Sequence, residues 1–545
     1  MNLSMPQLYS RLMFMAVFCL SLQFARSQNG SLRGFVYNKA DGEAVPFSNV
    51  YFKGTTIGAN TDLNGFFSIT KVPPGKYTLL ITNLDFDTIT EAITITAGEI
   101  LSKKYFCTKG GVKLKEVEIS AEKAEKIENT TVAVQKIDPT IIAKLPSVGE
   151  PDLAQYLQVL PGVVFTGDQG GQLYIRGGLP VQNKVLMDGM QIYNPFHSIG
   201  LFSVFDNDIM KNADVYSAGF NAEYGGRTSS VMDITTRDGN KKRLSGKVAA
   251  STFAAKMVLE GPFVKLKEDG KGSASFIVSA KHSYLPQTSK ILYTYANKDG
   301  LPFYFTDIYG KASINATNGS KVSVFGFNFS DKVDYTDIAT YNWTSTGAGS
   351  NFVLIPSGSN LLIEGVFAFS NYKIGYQNPK IETDNKKSGV SGFNGGFNFI
   401  RFVGRSEVKF GFEGIITNTT YELQNPFFTK VTAERSTSDI AGYVKYKYVD
   451  SKKRFIFEPG FRAMYYATLN VFSPEPRVSL KVNFTPKIRF KGAAGLYSQT
   501  LMSASSDRDV VNLFYGFINA PENQQMPSTY LDKDGKTQKV NSSVQ

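Results

Sequence analysis

"QLYIRGGLPVQNKVLMDGMQI", residues 172–192, is the stretch on which the fold turns. Arg176-Gly177-Gly178 in a chain of formal charge +12 at first suggests nucleic acid. The neighbouring residues argue against it. Leu173 and Ile175, then Val185 and Met187, alternate with other residues, so the triplet sits between two short strands. Nucleic-acid segments of this kind repeat the triplet in disordered chain, whereas here it occurs once. Lysines and arginines gather in no stripe. No nucleic-acid partner is expected.

Residues 132–237 read as one mixed unit around that stretch. Pro151 suits the first turn of a helix, and Leu153, Leu157 and Leu160 repeat at helical spacing until Pro161-Gly162. Short strands are expected at 173–176, 184–188, 214–217 and 230–235, punctuated by Gly177, Gly178, Gly189, Gly219, Gly225 and Gly226.

Beyond residue 237 the texture changes to period two. Twelve segments alternate, among them "SASFIVSAK", "KVSVFGFNFS", "EVKFGFEGII" and "RFIFEPGFRAMYY", with aromatics toward their ends. Each is about as long as a tilted membrane strand, ~9–11 residues. After residue 27 no run approaches the ~20 apolar residues of a membrane helix. The expected fold is mainly β, with an antiparallel transmembrane barrel over 238–545. Lysines lining a lumen or facing lipopolysaccharide also account for the charge.

Toward the N-terminus, Arg11 precedes an apolar run from Leu12 to Leu22, and Ala25 and Ser27 supply small residues two apart. This is a signal-peptide pattern, with cleavage expected after Ser27. Cys19 falls in the leader, leaving Cys107 without an intrachain partner. Residues 28–107 read as a β-sandwich, its first two strands flanking the turn at Asp41-Gly42. Residues 108–131 form a charged linker in which Leu114, Glu116, Val117, Glu118, Ile119 and Ser120 alternate like a strand. That segment is either a last edge strand of the sandwich or a strand kept free for another protein. His197 and His282 are the only histidines and stand in no zinc spacing, so no metal, cofactor or catalytic set is expected.

Two resemblances emerge from these residues. Gly34, Val36, Ala44-Val45-Pro46, Thr61-Asp62, Gly65-Phe66-Phe67 and Pro74-Gly75 resemble the carboxypeptidase-regulatory-like domain, a non-catalytic sandwich. Residues 132–237 resemble the plug domain of TonB-dependent outer-membrane receptors. The matching runs include Leu160-Pro161-Gly162-Val163, Tyr174-Ile175-Arg176-Gly177-Gly178 and Val185-Leu186-Met187-Asp188-Gly189. They continue through Ala222-Glu223-Tyr224-Gly225-Gly226-Arg227 to Val231-Met232-Asp233-Ile234.

The resemblance implies a receptor and gate in a Gram-negative outer membrane, with the sandwich in the periplasm and no enzymatic activity. It makes residues 114–120 the TonB box, bound by strand addition so that the inner-membrane energising complex loosens the plug. It implies membrane lipid, lipopolysaccharide and a small nutrient of open class as further partners. Arg176 and Arg227 are expected to meet carboxylates on the barrel wall, and the plug is expected to rely on tight turns rather than a large apolar core. Barrels of this family have 22 strands. Twelve segments and the polar end "YLDKDGKTQKVNSSVQ" lead to the expectation of a C-terminally truncated barrel, an open curved sheet around the plug. The competing reading is a truncated receptor that binds, adheres or signals without transport.

Overall fold

The computed structural model describes residues 29–83, 85–110, 132–147, 149–165, 171–198, 200, 202–267, 271–295, 297–424, 430–450, 453–485, 488–503, 514, 517–519, 529–531 and 537–539. The leader and the segment 114–120 lie outside these residues.

The N-terminal unit is two stacked sheets. One holds β4 (Phe66–Val72), β1 (Gly30–Asn38) and β7 (Ile100–Cys107), in that order, with β1 and β7 parallel. The other runs β3 (Gly58–Asn60), β2 (Asn49–Phe52), β5 (Gly75–Thr82), β6 (Ile89–Ile95). Leu32, Val36, Val50, Phe52, Phe67, Ile69, Leu79 and Ile81 fill the space between them. The strands flanking Asp41-Gly42 do not pair as a hairpin. After a single bridge from Tyr37 to Ala44 the chain crosses to the other sheet.

The plug is a five-stranded sheet in the order β12 (Met190–Ile192), β11 (Asn183–Met187), β14 (Ser230–Thr236), β13 (Met210–Tyr216), β8 (Val134–Ile137). Only β11 and β14 run parallel. A separate hairpin joins β9 (Val163–Phe165) to β10 (Leu173–Ile175). The helix Leu153–Leu157 starts two residues later than Pro151 suggests. Asp152 is its N-cap, accepting from the backbone N–H of Ala154 at 2.7 Å, and a carboxylate satisfies a first-turn donor as proline cannot. The plug also has the apolar core that its glycine-rich sequence argued against. Leu153, Leu157, Met187, Met190, Met232 and Ile234 pack continuously with Phe325, Phe327 and Phe329 of the surrounding wall.

That wall is a single antiparallel meander of thirteen strands among the described residues, from β15 (Ser245–Ala250) to β27 (Arg489–Gly495). Twelve match the expected segments; Ala339–Leu354 is additional. Several strands are far longer than a membrane crossing, with 23 residues in Ile381–Val403 and 20 in Lys430–Val449. Alternation divides the faces. Along Ser273–Ser283, Ser275, Ile277, Ser279 and Lys281 are buried against the plug, and Val278 points away. Along Phe303–Asn315, Phe305, Asp307, Tyr309 and Lys311 face inward, and Tyr304, Ile308 and Ile314 face outward.

Candidate functional site

The chemistry of the molecule is concentrated where plug meets wall. Residues 220–226, "FNAEYGG", are gripped by two wall arginines. Arg462, fully buried, donates from Nη2 to Glu413 at 2.6 Å and from Nη1 to the carbonyls of Ala222 and Glu223, each at 3.4 Å. Arg477 donates from Nη1 to the carbonyls of Asn221 at 2.6 Å and Tyr224 at 2.5 Å, while Nη2 pairs with Glu475 at 2.7 Å. Between these grips the Glu223 carboxylate meets Lys409 at 2.6 Å and Lys445 at 3.1 Å. Burial alone would raise the Glu223 pKa, but the two ammonium groups hold it at about 2. A Cβ on Gly225 would lie 2.2 Å from Arg462 Nε, so only glycine permits this approach. Tyr224 donates its hydroxyl to Asp233 at 2.7 Å, and burial lifts Asp233 to about 6.

The Asp188-Gly189 turn forms a second seat. Asp188 takes a left-handed φ of 52° and Gly189 one of 86°. The Asp188 carboxylate accepts from the Thr236 hydroxyl at 2.5 Å, the Tyr309 hydroxyl at 2.7 Å and Lys311 at 3.3 Å. The Gly189 carbonyl accepts from Asn394 at 2.9 Å. Nearby, Lys256 and Lys281 of the wall reach a plug cluster of Glu150, Asp206 and Asp208.

His197 closes a third seat. It stacks on Phe305 at 4.1 Å, with Nε2 2.9 Å from Asp307 and Nδ1 3.3 Å from Asp331. Burial works to lower its pKa, yet Asp307 and Asp331 outweigh that and raise it to about 9. Because the folded value is raised, this stabilisation is complete below the ordinary histidine value of ~6.5 and is lost as pH rises through about 9. His197→Gln is expected to weaken plug seating by roughly 3 kcal/mol at neutral pH, since the buried Asp307 and Asp331 lose the cation between them and only Lys281 still acts on Asp307. Denaturant-driven plug release, followed from pH 6 to 10, checks this. The wild type should weaken toward the top of that range and the variant should show no such step.

The wall contacts invert the polarity expected for the plug arginines. Arg176 is exposed, in left-handed backbone, and its N–H donates to the Gly162 carbonyl at 2.8 Å. Among the described residues it makes no ion pair with the wall; its side chain lies over Gly162 instead, where an added Cβ would sit 3.3 Å from Arg176 Cγ. Arg227 is buried, donates to the Gly226 carbonyl at 2.6 Å, and acts electrostatically on Asp439 of the wall. For the most part the wall carries the cations, and the plug offers carboxylates and carbonyls. Lys256, Lys281, Lys311, Lys409, Lys445, Arg462 and Arg477 were not singled out from sequence. Their signal was there: each is a charge on an inward position of an alternating strand. No group of three or more His, Cys, Asp or Glu among the described residues is placed to hold a metal.

The profile of the TonB-dependent receptor plug domain matches residues 126–231, and that of the CarboxypepD_reg-like domain matches residues 32–119. Residues 126–231 are thus a TonB-dependent receptor plug domain. The sandwich match extends over Leu114, Glu116, Val117, Glu118 and Ile119, the segment whose role is left open between edge strand and TonB box. No curated protein matches the sequence. Among solved structures, the siderophore receptor PirA from Acinetobacter baumannii is similar at 13% identity and a TM-score of 0.50, covering 73% of this chain and 63% of its own. A mutant of the ferric enterobactin receptor PfeA from Pseudomonas aeruginosa is similar at 13% identity and a TM-score of 0.51, covering 71% and 63%. The copper transporter OprC matches at 11% identity and a TM-score of 0.50, covering 69% and 65%. The chain thus spans less than two thirds of the length of these solved proteins. The plug, the fold and the outward apolar face of Val278, Ile308, Ile314 and Val324 place it in the outer membrane.

Proposed function

We propose that this receptor takes up a scarce nutrient across the outer membrane, with TonB supplying the energy and the plug acting as the gate. The observation that carries the reading is the grip of Arg462 and Arg477 on the carbonyls of residues 221–224. Charge-assisted hydrogen bonds to backbone are directional, so they hold the plug in one register. They can also be exchanged for water as the plug shifts, which an apolar seat alone does not permit. A plug held in this way is rigid at rest and yields to directed pull.

Within this reading, residues 114–120 are the TonB box, whose backbone pairs with a strand of TonB while Val117 and Ile119 set the face. Residues 1–27 are the export leader, and lipid and lipopolysaccharide surround the outward face. The nutrient is a small ligand. Ferric siderophores and metal chelates head the candidates because the similar solved structures are a siderophore receptor, a ferric enterobactin receptor and a copper transporter. Oligosaccharides, cobalamin and peptides fit the same architecture.

The test is growth on limiting amounts of each candidate, in cells with and without this receptor and with and without TonB. At least one candidate should support growth only where both are present. Growth on every candidate irrespective of TonB overturns the reading.

A further inference from the structure

The N-terminal sandwich does not hang free below the receptor. Arg33 on β1 donates from Nη1 to the carbonyls of Pro356 at 2.9 Å and Ser359 at 2.6 Å, in the turn after Ala339–Leu354. Asn360 donates to the Ser31 hydroxyl at 3.2 Å. In the next turn on the same end of the wall, the Gly404 N–H donates to the Thr70 hydroxyl at 2.6 Å, and Arg405 donates to the Thr56 carbonyl at 2.6 Å. Phe35, Tyr37 and Phe66 are buried against Ile355, Leu362 and Ile400, with Phe402 packed at the margin. The sandwich touches the plug as well, where Lys136 on β8 lies 4.2 Å from the Phe47 ring centre, and the connection from plug to wall, where the Lys241 N–H donates to the Asp41 carbonyl at 2.8 Å. One small domain therefore ties two wall turns to the base of the plug.

We propose that the sandwich is an autoinhibitory stop on the exit end of the receptor, and that a pull on the linker must undock it before the plug can move. The inference rests on reading residues 114–120 as the segment that is pulled. Chain length then decides what is loaded first. Leu114 is seven residues beyond Cys107, the end of β7, whereas Val134, the start of β8, is fourteen beyond Ser120. Fully extended, those tethers reach about 24 Å and about 48 Å respectively. The sandwich tether tightens while the plug tether is still slack.

The sandwich is built to leave as a unit under that load. β7, which leads into the linker, is held to β1 along eight parallel pairs from Ser31–Ile100 to Asn38–Cys107. The strand end is fastened further by the Gly110 N–H on the Asp85 carbonyl and the Asp87 N–H on the Thr108 carbonyl, both at 3.0 Å. A pull along β7 shears the whole ladder at once. The docking contacts are a few hydrogen bonds and one small apolar cluster, far fewer than the paired backbone bonds of the sandwich. Docking gives way before the fold. Only then does tension reach β8, an edge strand paired to β13 at four positions.

The experiment pulls the full chain in outer-membrane vesicles through a covalent handle at Ser120→Cys, using a force-sensing cantilever. Cys107 is buried and does not compete for the handle. The first event should be a rigid release without lengthening of the sandwich, followed by stepwise plug unfolding. Phe402→Ala with Arg405→Ala changes only the wall side and takes away two of several docking contacts; it should lower the force of the first event and leave the plug events unaltered. A disulfide between Ser31→Cys and Asn360→Cys should abolish the first event, and reductant should restore it. If plug unfolding comes first, or if the wall-side variant leaves the force of the first event unchanged, the proposal is wrong. The handle bypasses TonB and needs no nutrient, so the outcome is separate from the growth test of uptake.

Discussion

Val117→Pro is expected to reduce energised uptake to the level of a TonB-deficient cell while leaving ligand binding at the outer face intact. Proline removes one backbone donor and fixes φ near −65°, so an added strand loses both a ladder bond and the geometry for its neighbours. Strand addition draws most of its affinity from backbone bonds, which is why one residue has so large an effect. The variant also decides between the two roles of residues 114–120. A normally inserted variant with unchanged uptake would assign the segment to the sandwich, whose profile match reaches residue 119. Uptake and ligand binding measured on the same cells check it.

Arg462→Met is expected to loosen the plug by about 3 kcal/mol, the lower part of the range for breaking a buried ion pair. The lower part applies because Glu413 keeps Lys184 as a partner at 3.4 Å. The larger consequence is for the backbone: the carbonyls of Ala222 and Glu223 lose their shared donor. Trypsin cleavage of the plug in intact vesicles should accelerate by roughly a hundredfold, the equivalent of that energy at about 1.4 kcal/mol per factor of ten. Gly225→Val should act in the same direction through a clash with the Arg462 guanidinium. Cleavage at the wild-type rate in both variants would remove Arg462 from the seat.

The limits of reading this chain from its sequence follow from particular residues. The Asp188-Gly189 turn and the run 222–227 were legible because left-handed backbone and close approach restrict the residue types. The strand Ala339–Leu354 was not, because Thr344, Thr346, Ala348 and Ser350 make its outward face too polar for a period-two signal. Lumen cations were legible in phase: Lys281 follows Ser275, Ile277 and Ser279 at even spacing, and Arg477 stands between Glu475 and Ser479. Their partners were not, since a backbone carbonyl has no sequence signature and Arg477 reaches carbonyls more than 250 residues away. Arg176 misled because its side chain lies over Gly162 of the plug instead of meeting the wall.

The account stands on movement of the plug relative to the wall, and a reversible tether tests that most directly. Ser198 donates its hydroxyl to Asp331 at 2.7 Å across the plug–wall boundary. Cysteines at Ser198 and Asp331 should therefore form a disulfide in the receptor, with the Ser198→Cys single variant as the control. In cells growing on a nutrient that requires both receptor and TonB, the oxidised pair should bind that nutrient and fail to import it. Reductant should restore import to the level of the control. Import at the control rate by a fully cross-linked receptor would contradict a gate that opens by moving the plug.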